Sequence, residues 1–131
     1  MRILLDTHVA LWAIVDDRRL PAEARKLIVD TDNLILVSAA SIWEIAIKHA
    51  LARSGPRAMP ISGVRALQYF QAAGYEMLPI TATHAAAVDG LEKRHHDPFD
   101  RMLVAQALFE PLRLVTHDAQ VAQYSDSIIL V

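Results

Sequence analysis

The sequence predicts an α/β fold: a three-layer α/β/α sandwich around a mainly parallel sheet of four to five strands. Two observations carry this. Ile3-Leu4-Leu5 and Leu34-Ile35-Leu36-Val37 are short, unbroken apolar runs, as expected of strands buried on both faces. Longer stretches with apolar residues three and four apart lie between such runs and read as helices. Strands alternating with helices imply βα units, right-handed crossovers and a sheet covered on both sides. At 131 residues the chain fits one domain, 1–131, long enough to bury a proper core.

Each element follows from local chemistry. Val9-Ala10-Leu11-Trp12-Ala13-Ile14-Val15 is too uniformly apolar for an exposed element, so a helix buried nearly all round, or packed in an oligomer interface, is expected. Asp16-Asp17-Arg18-Arg19 ends it. Leu20-Pro21-Ala22-Glu23 opens a second helix with proline early, its inner face Ala24, Leu27 and Ile28. Asp32-Asn33 turns the chain into the strand at 34–37. Ser38-Ala39-Ala40-Ser41 leads into a helix from Ile42 to about Leu51. Residues Ser54 to Pro60, rich in breakers, form a loop.

A helix from about Ser62 to Ala73 stops at Gly74 as C-cap. Met77-Leu78-Pro79-Ile80 is a third strand, placed at an edge by Pro79. Thr83 to about Glu92 reads as helix, followed by the polar stretch Lys93-Arg94-His95-His96-Asp97. Pro98 to Phe109 is another helix, with Met102, Leu103, Ala105 and Leu108 inward. Leu112 to Thr116 is a fourth strand, residues 119–124 a short helix and Ser127 to Val131 a last strand. Trp12 and Trp43 lie in apolar helical faces and are expected in the core.

Composition narrows the classes. Without cysteine there are no disulfides, no thiolate chemistry and no Cys-ligated zinc. The first residues lack the apolar segment of a signal peptide, and no apolar stretch approaches the roughly 18 residues of a membrane span. A cytoplasmic protein with no membrane contact is expected. A formal charge of −2 argues against a broadly basic nucleic-acid binder, although a local basic stripe can coexist with an acidic cluster. A hydrophobic share of 53% leaves room for a dimer or protein partner.

Four acids stand out: Asp6 after strand one, Glu44 in the first turn of the helix after strand two, Asp100 in the helix opened by Pro98, and Asp118 after strand four. Each has an ordinary explanation. Asp6 or Thr7 fits an N-cap. Ser41-Ile42-Trp43-Glu44 matches a capping box, and Glu44 and Lys48 an i,i+4 ion pair. Asp97-Pro98-Phe99-Asp100 is an N-cap, a proline at N1 and an acid favoured by the helix dipole. Asp118 fits a turn.

Topology changes the weighing, because a parallel sheet brings all strand exits to one edge. At an effective dielectric of about 20, two like charges about 4 Å apart repel by about 4 kcal/mol. A cluster of these acids therefore needs protons, neighbouring cations such as Lys48 and Arg101, or a metal. All-oxygen donors favour Mg²⁺ or Mn²⁺, which commonly serve phosphate-ester chemistry. His8, His95, His96 and His117 neighbour the cluster in sequence. None shows the i,i+4 spacing of a helical metal motif, so they are read as outer groups or solvent-facing. His49 and His84 have no such neighbourhood.

These stretches together resemble a PIN domain and, within that family, the toxin of a VapB–VapC toxin–antitoxin pair. The carriers are Leu4 to His8, Ser38 to Lys48, His96 to Ala107 and Leu114 to Asp118. The resemblance implies a metal-dependent endoribonuclease, usually dimeric and inhibited by a VapB-like antitoxin. Its acids fall on Asp6, Glu44 and Asp118; the third falls on Asp97 or Asp100, and the family's spacing to Ala105-Gln106 selects Asp100, with Asp97 as cap. Thr116 would orient an acid or a metal-bound water. The implied reaction uses Mg²⁺ or Mn²⁺, attacks the scissile phosphorus with activated water and leaves a 5′ phosphate. Arg101 and Lys48 would hold the RNA first, then Lys93, Arg94, Arg53 or Arg57. The loop from Ser54 to Pro60 and the helix over 9–15 are candidate antitoxin contacts.

Three rivals are weaker. A receiver domain needs paired acids after strand one and a late lysine, whereas a single Asp6 stands there and no lysine follows Lys93. An aspartyl phosphatase needs D-x-D-x-T, and Asp6 is followed by Thr7 and His8. A catalytically silent PIN-like module that binds RNA or protein remains the alternative.

Overall fold

Strand β1 (Arg2–Leu5) lies at the centre of the sheet, buried on both faces from Ile3 onward. β2 (Leu34–Ser38) pairs with it on one side and β4 (Arg113–Thr116) on the other. β3 (Glu76–Leu78) and β5 (Ile129–Leu130) are the edges, giving the order β3-β2-β1-β4-β5. Every pairing is parallel. The chain leaves β1 towards β2 and later returns to the other side of β1 as β4. The strand order reverses there, and that reversal opens a crevice beyond the strands' carboxyl ends. The structure, a computed structural model, describes residues 1–51, 59–93 and 97–131.

Seven helices complete the layers among the described residues: α1 (Thr7–Ile14), α2 (Ala22–Val29), α3 (Ala39–Leu51), α4 (Gly63–Ala72), α5 (Ala82–Ala87), α6 (Pro98–Phe109) and α7 (Ala119–Ala122). The period-two alternation of strand side chains divides the interior in two. Ile3, Leu5, Ile35, Val37 and Val115 meet α1, α2 and α4, together with Ile45 of α3. Leu4, Leu36 and Leu114 meet Leu103, Val104 and Ala107 of α6 and Val121 of α7. This is the expected three-layer sandwich. No helix among the described residues is long and apolar enough to cross a membrane.

Several boundaries follow the predicted chemistry. Ser62 caps α4 by accepting the Arg65 N–H. Gly74 takes φ +83° just past the helix end, a left-handed conformation that glycine adopts without a Cβ penalty. Pro79 follows edge strand β3 and lies outside it. Others differ. α3 begins at Ala39, three residues earlier than expected, because Ser38 Oγ accepts the Ala40 N–H at 3.0 Å. Glu44 therefore sits past the first turn, and the Ser41–Glu44 capping box does not form. The helix expected over 83–92 ends at Ala87 and gives way to a 3₁₀ turn, Val88–Gly90; Asp89 and Gly90 are poor helix formers. Leu108 is exposed, and Val104 and Ala107 take inward positions instead. Trp12 is core, but Trp43 is 59% exposed and stands edge-on to Phe99 at 5.3 Å.

Helices α3 and α4 approach closely where Gly63 opens α4. A Cβ there would stand 2.8 Å from Ala46 Cβ and 3.3 Å from the Ile42 carbonyl oxygen. Gly63→Ala is expected to destabilise the chain by about 1–3 kcal/mol through overpacking, read from urea unfolding. A midpoint equal to or above wild type would mean that the two helices part without penalty.

Candidate active site

Asp6 leaves β1 at the crevice. Its backbone N–H donates to the Val115 carbonyl at 3.0 Å, extending the β1–β4 ladder by one residue. Its side chain then caps α1, Oδ1 accepting the Val9 N–H at 2.9 Å. Oδ2 accepts the Thr116 hydroxyl at 2.5 Å. The carboxylate is only 8% exposed. Burial pushes its pKa above the ordinary range, opposed by the hydrogen bonds from Thr116 and Val9 and by the charge of His8.

Thr116 is shared. Its oxygen also accepts the Asp118 N–H at 3.0 Å, so one hydroxyl fixes the acid after β1 and the chain after β4. Asp118 caps α7 through the Gln120 N–H at 2.8 Å. Asp6, Asp118, His8, Trp12, His117 and Ala119 line a cleft of about 350 Å³. Trp12 forms its wall, with the rings of His8 and His117 at 6.0 and 5.7 Å. His117 Nδ1 lies 2.6 Å from the Val131 backbone oxygen, which requires a proton on that nitrogen.

Glu44 lies on α3 and is 2% exposed. Oε2 accepts Lys48 Nζ at 2.5 Å. Oε1 is buried with no hydrogen-bond partner among the described residues. One turn earlier, Ser41 Oγ accepts the buried Thr7 hydroxyl at 2.9 Å. That bond ties the turn carrying Glu44 to the residue after Asp6. Sequence reasoning left out Thr7 and Ser41 as partners, although both stand inside the motifs that flagged the acids.

Asp100 sits in the first turn of α6, half-buried. Asp97 caps that helix, its Oδ1 accepting the N–H groups of Phe99 at 2.8 Å and Asp100 at 3.2 Å. Arg101 is braced by the Glu92 carbonyl at 2.8 Å and the Tyr124 hydroxyl at 3.1 Å. Lys93 is exposed. Arg53, Arg57, Arg94, His95, His96 and loop residues 54–58 lie outside the described residues.

The acids thus gather unequally. Thr116 links the Asp6 carboxylate to the Asp118 backbone N–H, the Thr7–Ser41 bond ties the turn carrying Glu44 to the residue after Asp6, and Asp100 stands in the first turn of α6. Among the described residues, no three carboxylates or imidazoles are placed closely enough to hold one ion as they stand. The donor chemistry nevertheless suits a hard divalent cation: the candidates are oxygen donors. Glu44 Oε1, unpartnered among the described residues, is a buried acceptor, and leaving such a group unsatisfied costs about 1–3 kcal/mol.

A doubly wound parallel sheet with carboxylates at its switch point defines a class of α/β proteins whose ligands bind at that edge. The PIN domain family model matches residues 3–126, and the chain belongs to that family. PIN domains are generally nucleases. Among solved structures, VapBC2 from Rickettsia felis, bound to a promoter DNA fragment, is 17% identical with a TM-score of 0.68, covering 100% of this chain and 98% of that one. VapBC from Salmonella typhimurium, also DNA-bound, is 16% identical with a TM-score of 0.66, covering 100% and 97%. FitAcB from Neisseria gonorrhoeae is 20% identical with a TM-score of 0.62, covering 98% and 96%. No curated protein matches the chain by sequence.

The raised pKa of Asp6 has a sign that can be tested. Folded Asp6 keeps its proton where the unfolded chain has lost it, so the native state binds more protons in that window and stability falls as pH rises. The contribution is fully present below the unfolded pKa and is lost as pH passes the folded one. In EDTA, Asp6→Asn is therefore expected to flatten this fall and to be at least as stable as wild type at neutral pH. Urea unfolding across a pH series checks it; a wild type that gains stability over the variant through that window would contradict it.

Proposed function

We propose that this chain, as one PIN-like unit over 1–131, is a Mg²⁺- or Mn²⁺-dependent endoribonuclease and the toxin of a VapB–VapC-type pair. The observation that carries the reading is the pair of buried carboxylates on linked elements, Asp6 at the end of the central strand and Glu44 with an oxygen unpartnered among the described residues. Asp6, Glu44 and Asp100 would hold the ion, with Asp118 assisting. A divalent ion there would supply an acidified water and positive charge for the phosphate oxygens.

The chain's own residues prepare the site. The Thr116 hydroxyl holds Asp6 Oδ2 and leaves Oδ1 to cap α1. Lys48 neutralises Glu44 and, with its side chain 37% exposed, presents a cation at the rim for an RNA phosphate. Arg101 stiffens the start of α6 beside Asp100, and its charge would add to that attraction. A VapB-like antitoxin partner is supported by solved structures of similar fold, among them VapBC2 from Rickettsia felis and one described as a toxin–antitoxin complex from Klebsiella pneumoniae. A homodimer in the cytoplasm, without membrane contact, completes the proposal.

A catalytically silent RNA- or protein-binding module is the second reading, favoured by the wide placement of the acids among the described residues. Cleavage of defined RNAs with Mg²⁺, Mn²⁺ or EDTA separates the two. Metal-dependent cleavage that falls to the EDTA background in both Asp6→Asn and Asp100→Asn is expected. Cleavage that persists in EDTA, or full activity in both variants, would sink the nuclease reading as stated.

A further inference from the structure

Gln106 is fully buried on α6 and makes contacts that no part of the proposed chemistry uses. Its Oε1 accepts the Ser38 hydroxyl at 2.6 Å. Its Nε2 donates to the Pro79 carbonyl at 3.2 Å and faces His84 Nδ1 at 3.3 Å. Ser38 Oγ also accepts the Ala40 N–H at 3.0 Å, and His84 Nδ1 accepts the Thr81 N–H at 3.1 Å.

The proton directions in this network are determined. Ser38 Oγ accepts one N–H, so its own proton goes to Gln106 Oε1. That choice fixes the amide, whose two protons then face Pro79 and His84. His84 Nδ1 must be bare, leaving its proton on Nε2, 3.7 Å from the Glu110 carboxylate. Asparagine at 106 would be too short to reach the same partners, glutamate would lack the protons, and leucine would satisfy none of them.

We infer that Gln106 is a positioning residue that sets α6 against the end of β2, where α3 begins, and through these elements Asp100 against Glu44. Ser38 precedes Glu44 by six residues, and Gln106 follows Asp100 by six. The bond therefore pins α6 about 9 Å along its axis from Asp100, against the strand end from which α3 starts towards Glu44. Apolar contacts between these helices are non-directional and resist a slip or roll weakly. A one-residue slip of α6 would move Asp100 by about 1.5 Å along its axis. A directional hydrogen bond at full burial resists such a slip. The inference rests on the metal-site reading where it concerns ion affinity, but not where it concerns the geometry of the two helices.

The test uses the full chain, labelled with ¹⁵N, in wild-type, Gln106→Leu, Ser38→Ala and His84→Asn forms. In the metal-free state, Gln106→Leu is expected to shift the amide resonances of Glu44 and Asp100, each six residues along the chain from the Ser38–Gln106 bond. It should also weaken Mn²⁺ binding, read by electron paramagnetic resonance of free Mn²⁺, by about tenfold or more. Ser38→Ala should move both readouts the same way, and Ser38→Ala with Gln106→Leu should be no worse than Gln106→Leu alone. His84→Asn keeps an acceptor near Nδ1 and should stay nearer wild type. Shifts confined to the residues in the network, with unchanged Mn²⁺ affinity, would overturn the inference. Should Gln106→Leu fail to fold, Ser38→Ala decides by the same readouts. A wild type that binds no Mn²⁺ would sink the metal reading, and the Glu44 and Asp100 resonances would still decide for or against Gln106.

Discussion

The hydrogen bond from Thr116 to Asp6 exists because β1 lies between β2 and β4, and much of the site's geometry depends on that placement. A strand with parallel neighbours on both sides ends inside the protein rather than at its margin. The residue after it must then find partners within the fold. Asp6 finds them in the α1 backbone and in the last residue of β4. If β1 lay at an edge, the same carboxylate would be solvated and Thr116 would not reach it. Reversal of the strand order at β1 thus determines which two strand ends meet, and with them which side chains share the crevice.

The acids that suggest chemistry are also acids that the fold uses. Asp6 caps α1, Asp118 caps α7, and Asp97 caps α6 beside Asp100. This double use reflects geometry: in a parallel sheet, strand exits and helix starts occupy one edge, where unpaired N–H groups attract carboxylates. Capping holds an acid in place at an edge where several charges compete. It does not by itself explain Glu44, which lies past the first turn of α3 and caps nothing. Its burial needs a separate cause, and that makes it the most informative of the four acids.

The sheet and its order of elements were legible because doubly buried strands leave unbroken apolar runs, and β1, β2 and β4 all do. The acids were legible because each follows such a run or opens the next helix. What was misread depends on three-dimensional neighbours. The start of α3 was set by the Ser38 hydroxyl, a side-chain contact that does not appear in the apolar pattern. Trp43 lies in an apolar segment, yet its neighbours Glu44 and Ile45 take the buried positions and turn it outward. Spacing alone points Leu108 inward, while packing of α6 on the sheet selects Val104 and Ala107. The choice between Asp97 and Asp100 is one residue type at two nearby positions, and only the cap geometry of Asp97 separates their structural roles.

Lys48 shows how folding and the proposed chemistry act on one side chain. Removing the partner of a buried charge typically costs about 3–5 kcal/mol, so a carboxylate placed like Glu44 calls for a counter-charge. Lys48 provides it for Oε2, and Oε1 has no hydrogen-bond partner among the described residues. A cation delivered from a side chain that itself reaches the surface leaves the arrangement adjustable. The acid is buried, and its counter-charge reaches the surface. That asymmetry follows from the i,i+4 placement of Glu44 and Lys48 on a helix whose inner turn is held by Ser41 and Thr7. The same placement puts a carboxylate on the inside and a positive charge at the rim.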